Sequence, residues 1–483
     1  MAVETGTAAN WVDALAKLRT FLTTNSALVA AGQAWQELRW LADNLETIDT
    51  NMTIDQGTNS GRIAYLTRPD FRTQNYNSLT GAEISAVGFQ AGQYIRMKLR
   101  TAKAVTSFTY KGGNGSSGDN PRNFRIEYSD DGTTWTTALT VTDQYSWVPQ
   151  EERTYAIPGS TGAHLWWRFA VDLLVSGSIL RMGSLLLFNG SEHVNSSESN
   201  LAVKGTGLAG TDEIFLFFRT WYATDEGAYA LLLNAGTGFL PTERSLNRQP
   251  GLNNFGNMVV PLWQAATPYW FVANGRRVMM VFKVSTSYES AYAGLFLPFA
   301  TPAQYALPLY IGGSTAPNSD SYKYDFVHAS HSGFAIPGMM SYPSASDDFI
   351  QYSNGRVMLP DGAWFGLANR PNSSQNSEAM VPGFNSPGSI YPYNNFGDGV
   401  MTSSNMTPFR ENIGGGYSPV PLQLFQRKPT GNSKWLGQLD GVVQISGFGN
   451  GAENTGVIDG VTYTVFQNCY RNSISEFFAL KME

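Results

Sequence analysis

The stretch "RNFRIEYSDDGTTWTTALTV", Arg122–Val141, alternates apolar and polar residues on both sides of an acidic turn. Phe124, Ile126 and Tyr128 fall on one face and Arg125, Glu127 and Ser129 on the other, the two-residue period of a half-buried strand. The Asp-Gly pair within "SDDG" is the strongest short-range signal for a tight hairpin, and Trp135 leads the return strand. Asp130 and Asp131 offer hard oxygen ligands of the kind calcium takes, but adjacent carboxylates in a turn more commonly serve as turn formers.

Working outward, residues 50–190 keep this texture. The runs "YIRMKLR", "SFTYKG", "RTYAIPG", "LWWRFAV" and "GSLLLF" are short, strand-like and separated by turn residues, the pattern of a β-sandwich. In "LWWRFAV", Leu165, Trp167, Phe169 and Val171 share one face, while Trp166 and Arg168 share the other. Trp167 is therefore assigned to the core, and Trp166 is the more exposed of the pair.

Residues 10–46 form the helical part. Trp11, Leu15, Leu18 and Leu22 repeat at helical spacing; "TTNS" interrupts, and a second segment carries Leu28, Trp35, Leu38 and Leu45. Such a pair either packs as a helical hairpin on the rest of the chain or docks on a neighbouring copy. From 196 onward, "EIFLFFRTWY", "RRVMMVFKVST", "VVQISGFG" and "VTYTVFQN" continue as strands. A polar stretch at about 368–420 retains Phe384, Tyr391, Tyr393 and Phe396. It exceeds the roughly 15 residues at which structureless loops become rare in compact domains. It reads either as an arm ordered against a neighbouring subunit or as a long surface loop. The expected class is mostly β: an N-terminal helical segment over 1–50, a sandwich over 51–192 and a larger β-rich domain over 193–483.

Composition narrows the partners. Charged residues make up 14% of the 483 residues, against about 25% in an average soluble protein. Gly, Asn, Ser and Thr replace them, which suits turn-rich β-structure and surfaces buried against other subunits. The formal charge of −6 and the absence of any Lys/Arg block exclude a nucleic-acid footprint. The single cysteine, Cys469, permits no intrachain disulfide and reads as a buried apolar residue. No apolar run approaches the roughly 20 residues of a membrane span, and "MAVETGTAANW" lacks the pattern of a conventional signal peptide. Synthesis in a cytoplasm without secretion is the expectation.

"NFRIEYSDDGTTWTTALTV", "ERTYAIPGSTGAHLWWRFAVD" and the closing "LLLF" together resemble the galactose-binding-like sandwich, the discoidin or coagulation-factor C-type fold, over about 60–190. The resemblance implies a jelly-roll-like binding module that often takes glycans through loops at one end. The loop 111–122 and the segment "QYSWVPQ", 144–150, are the matching places. Tyr145 and Trp147 are the expected stacking residues, with Asn120 and Arg122 bonding hydroxyls; the alternative tucks Trp147 onto the sandwich edge.

"LAVKGTGLAGTDEIFLFFRTWY", the segment 274–314 and the closing segment 434–483 resemble virion proteins of tailed bacteriophages, from the tail tip, baseplate or fibre. The sandwich then reads as an insertion between "ELRW" and "NLAVKG". This resemblance implies a homo-oligomer, a trimer being one option, that contacts other tail proteins and displays the sandwich to host-surface glycan. It implies residence in the virion after synthesis in the bacterial cytoplasm. A purely architectural protein and a tail-associated polysaccharide-degrading enzyme are the alternatives.

No catalytic set, cofactor motif or metal site emerges. His328 and His331 in "HASH" have no clustered Cys or carboxylate beside them, short of the three or four ligands that zinc requires. No nucleophile elbow, phosphate loop or dinucleotide motif is present. Asp347, Asp348 and Asp361 are scattered through loops, and no β-helix repeat is found. The chain is expected not to be an enzyme.

Overall fold

A computed structural model of the chain describes residues 1–54, 63–68, 84–113, 116–223, 227–253, 257–314, 334–335, 355–367, 388–391, 418–426, 434–446, 451–467, 469 and 477–483. It is mostly β, as expected. Two compact units form. One comprises Met1–Arg39, Leu201–Pro241 and Arg248–Glu483; the other comprises Trp40–Asn200 and Thr242–Asn247. The second is wider at both ends than the expected 51–192. Most of the 368–420 stretch, with Phe384, Tyr393 and Phe396, lies outside the described residues, as do His328, His331, Asp347 and Asp348. Among the described residues, no helix is long and apolar enough to cross a membrane.

In the first unit, helix Trp11–Thr24 starts at Asn10, whose side chain accepts from the amides of Val12 and Asp13. Its buried face is Trp11, Ala14, Leu15, Leu18, Phe21 and Leu22, the stripe that the spacing marks. Trp11 packs 4.5 Å from Tyr229 and Phe21 5.7 Å from Phe271. The expected second helix is cut short. Only Ser26–Ala30 is helical, because Gly32 turns left-handed at φ 65° and the Gln33 amide returns to the Leu28 carbonyl. Trp35 follows this cap, Leu38 lies in strand Gln36–Leu41, and Leu45 opens strand Leu45–Thr50.

A 14-stranded sheet, begun by the unexpected N-terminal strand Ala2–Ala8, dominates this unit. Tyr292, Tyr310, Phe334, Phe466 and Phe478 stand in its core. A five-stranded sheet runs in the order Met258–Leu262, Ala228–Gly236, Ile214–Ala223, Asn200–Gly205, Gln36–Leu41. The last two are the strands on which the chain passes from one unit to the other.

The second unit is a sandwich. One sheet runs Leu45–Thr50, Gln93–Lys103, His164–Leu174, Pro121–Ser129, Thr136–Val141. The other runs Glu152–Ala156, Ser107–Gly112, Ile179–Asn189, Ile84–Val87, Thr53–Ile54, with Glu192–His193 on the side. Phe169 is its hub, 5.3 to 5.6 Å from Phe124, Phe108 and Tyr110. Burying such rings contributes roughly 1.5–3 kcal/mol each. Trp167, Phe169 and Val171 are buried as alternation requires.

The "SDDG" turn is longer than a two-residue hairpin, since Tyr128 pairs with Thr136. Asp131 accounts for this: its carboxylate accepts the Thr133 and Thr134 amides, both at 2.7 Å, and the Ser129 hydroxyl. These bonds hold its pKa far below the ordinary carboxylate value. Asp131 is thus occupied as a turn former. Asp130 pairs with His164 at 2.8 Å.

The two ends of the sandwich close on each other through buried polar groups. The amides of Asn44 and Leu45 both donate to the Ser196 carbonyl, at 2.9 and 3.0 Å. The Asn44 side chain donates to the Val194 carbonyl, Asn195 accepts the Leu187 amide, and the Asp43 amide donates to Ser199. Asn195 to Ser199, all polar, are fully buried.

Burial lifts the Asp43 carboxyl from 3.8 to about 6, and the charge of Arg100 offsets only part of this. A carboxyl raised in the folded state stabilises when protonated, so its contribution is complete below about pH 4 and is lost as pH rises through 6. Asp43→Asn keeps an acceptor for the Leu45 amide. The variant is expected to gain on the wild type between about pH 4 and pH 6, by at most about 3 kcal/mol. Thermal unfolding of both chains across this range checks it; parallel pH profiles contradict it.

Candidate functional site

Strand register gathers several connections at one end of the sandwich. Pro121 pairs with Leu174, Phe124 with Val141 and Met182 with Gly112. The segments 116–120, 142–151 and 175–178 therefore emerge together. The Asn44–Ser196 closure lies at the opposite end, where Leu45 pairs with Leu99.

The 142–151 connection is held in a conformation that ordinary residues avoid. Asp143, Ser146 and Gln150 adopt φ of 54°, 59° and 64°, each a cost on the order of 1 kcal/mol. Neighbouring groups fix them. The Asp143 amide donates to the Asn123 side chain, Gln144 to the Arg122 carbonyl, and Gln150 to the Gly113 carbonyl. Arg153 clamps the middle: its Nη2 donates to the carbonyls of Tyr145 and Ser146 at 3.0 and 3.3 Å, and its Nε to Glu151 at 2.7 Å. The bond from Arg153 also holds the Glu151 carboxyl below its ordinary range.

The expected ligand residues divide into two pairs. Trp147 is 3% exposed. Its indole donates to the Pro121 carbonyl at 3.2 Å, Tyr110 meets it edge-on, and the Arg153 guanidinium covers it at 3.9 Å. A sugar has no open face to stack on, so Trp147 is a bolt between two loops. Asn120 is 1% exposed. Its side chain donates to the Ser116 carbonyl and accepts from Tyr110, while its carbonyl accepts the Val175 amide. It ties two loops together instead of meeting hydroxyls in solvent.

Tyr145 and Arg122 stay at the surface. Tyr145 is 44% exposed, and the Arg122 guanidinium stands 4.5 Å from its ring centroid. Arg122 pairs with Asp143 through Nε and Nη2 at 3.3 and 2.8 Å. Beside them Val148 is also exposed. The result is a shallow surface of one aromatic ring, one guanidinium and one carboxylate, suited to stacking and hydroxyl recognition. Asp143 and Arg153 were not anticipated. Alternation places Arg153 on the same strand face as Tyr155, but nothing local says which loop it reaches.

Comparison with known proteins bears on this unit. Residues 64–161 match the F5/8 type C domain family. The chain carries an F5/8 type C domain. Similar solved structures include the module CpGH89CBM32-5 from Clostridium perfringens, in complex with GalNAc-beta-1,3-galactose, at 15% identity, 30% of this chain, 94% of that chain and a TM-score of 0.24. The F5/8 type C domain of a Bacteroides fragilis protein shares 14% identity over 32% of this chain and 95% of that one, with a TM-score of 0.24. A chitosan-binding module of a chitosanase/glucanase from Paenibacillus sp. IK-5, in complex with chitotriose, shares 12% identity over 30% and 98%, also at 0.24. No curated protein matches the chain.

Among the described residues, no group of three or more His, Cys, Asp or Glu is gathered to hold a metal. Cys469 is buried, and Asp361 accepts the Ala363 amide within a turn.

The two roles separate by mutation. Trp147→Ala removes a core bolt and is expected to cost about 3–5 kcal/mol, whereas Tyr145→Ala at the surface should stay within about 0.5 kcal/mol of the wild type. Denaturant unfolding of the full chain compares them; equal stabilities contradict the assignment.

Proposed function

We propose that the F5/8 type C sandwich binds glycan at the end where 116–120, 142–151 and 175–178 emerge, through Tyr145 and Arg122. The observation that carries this reading is the fixed, left-handed 142–151 connection. It presents an exposed ring beside the Arg122 guanidinium at the end away from the chain's entry and exit. Backbone strain persists only where surroundings over-determine it, and such places concentrate at binding sites. The match of residues 64–161 to the F5/8 type C family supports the same reading.

The fuller proposal is a structural protein of a tailed-phage tail tip, baseplate or fibre. It assembles as a homo-oligomer and displays the sandwich to host glycan without catalysing a reaction. Its support is the resemblance of 201–222, 274–314 and 434–483 to virion proteins, together with the low charge and abundant glycine. Contacts built on one ring are weak singly, and several copies on one assembly raise avidity without new contacts.

Two measurements test these statements. The full chain should bind bacterial surface polysaccharides on an array, with Tyr145→Ala and Arg122→Gln each weakening the signal at least about tenfold, the worth of one good contact. No binding above background removes the glycan role and leaves the architectural one. Sedimentation of the purified chain should show a closed homo-oligomer at micromolar concentration; a monomer contradicts the assembly.

A further inference from the structure

The outer face of the five-stranded sandwich sheet carries a second constellation, away from the loop end. Arg168 lies on the central strand, His164–Leu174, opposite Arg96 on one side and Glu127 on the other. Ala170 on the same face lies between Tyr94 and Arg125, and Trp166 between Lys98 and Ser129. Glu127 is 2% exposed although it faces outward, because Arg125 and Arg168 both pair with it.

The cations on this face are not equivalent. Arg96 is held by Asp49 at 2.8 Å and Lys98 by Glu46 at 2.7 Å. Arg125 spends Nη1 on Glu127 and both Nε and Nη2 on Asp172. Arg168 gives only its Nε to Glu127. Its guanidinium lies 4.4 Å from the Trp135 ring and 5.3 Å from the Tyr94 ring, with the side chain 21% exposed. Among the described residues, no acceptor engages its Nη1 or Nη2. A planar guanidinium anchored at one nitrogen, flanked by rings and left with two terminal donors, matches a carboxylate bidentately.

We propose that this face is a second saccharide site, selective for polysaccharides that carry carboxylates, such as uronic acid polymers. Arg168 grips the carboxylate and Trp135 stacks on the adjoining sugar ring. An acidic peptide fits less well. The site lies mid-sheet, where the strand's backbone groups are spent on neighbours, so an extended peptide cannot add as a strand. Recognition then falls to side chains alone, which suits ring stacking and a charged fork. This inference stands on the sheet face and does not depend on the loop-end site.

The test uses the full chain with polygalacturonate, neutral dextran and poly-L-glutamate in affinity electrophoresis. Polygalacturonate alone is expected to retard the protein, less so as salt rises. Arg168→Lys keeps the charge but loses the fork, and Trp135→Ala leaves the Arg168–Glu127 pair intact in case Arg168→Lys disturbs the fold. Each should weaken retardation at least about tenfold, the scale of a lost bidentate contact. Equal retardation by dextran or poly-L-glutamate overturns the proposal, as does indifference to both substitutions. Loss of polygalacturonate binding on Tyr145→Ala, with Arg168→Lys unaffected, moves the ligand to the loop end and also overturns it.

Discussion

Two amides donating to one carbonyl, Asn44 and Leu45 to Ser196, set the layout of the sandwich. A module inserted into another domain needs its ends side by side, and this closure supplies that condition. It also takes up one end of the sandwich, which leaves the 116–120, 142–151 and 175–178 segments at the other. Its polar groups are buried, and burying a polar group without a partner costs several kcal/mol. The Asn44, Asn195 and Ser196 bonds are therefore a requirement of the fold and not an embellishment.

From that frame the loop end acquires its rigidity. Phe169 fixes Tyr110, Tyr110 meets Trp147, and Trp147 bonds the Pro121 carbonyl beneath the Arg153 guanidinium. The three left-handed residues of 142–151 are carried on this stack and on the amide partners around it. Rigidity of this kind lowers the ordering cost of binding, which matters most for a ligand held by one ring and one guanidinium. The buried aromatics and the exposed ones have different tasks, and they sit two residues apart at Tyr145 and Trp147.

Periodicity made much of the fold legible. The helix face Trp11–Leu22 and the core positions Trp167, Phe169 and Val171 could be placed from spacing alone, since each follows from one regular element. What escaped depended on contacts distant in sequence. Gly32 ends the second helix and Leu45 joins a strand paired with Leu99. The burial of the polar run Asn195–Ser199 comes from partners far along the chain, and no local pattern marks it. The site was half legible for the same reason. Tyr145 is exposed on the 142–151 connection and Arg122 stands on strand Pro121–Ser129 instead of in the loop before it, while Trp147 and Asn120 are drawn inward by Arg153, Pro121 and Tyr110. Glu127 likewise follows alternation outward and is still buried, because two arginines close over it.

On the proposed reading, the loop end of the sandwich faces a ligand and not a neighbouring subunit. An image reconstruction of the proposed assembly tests this most directly. The expected result is the 142–151 connection and the Tyr145 ring standing in solvent at the outer end of each copy. Finding Tyr145 and Arg122 buried between subunits would contradict it.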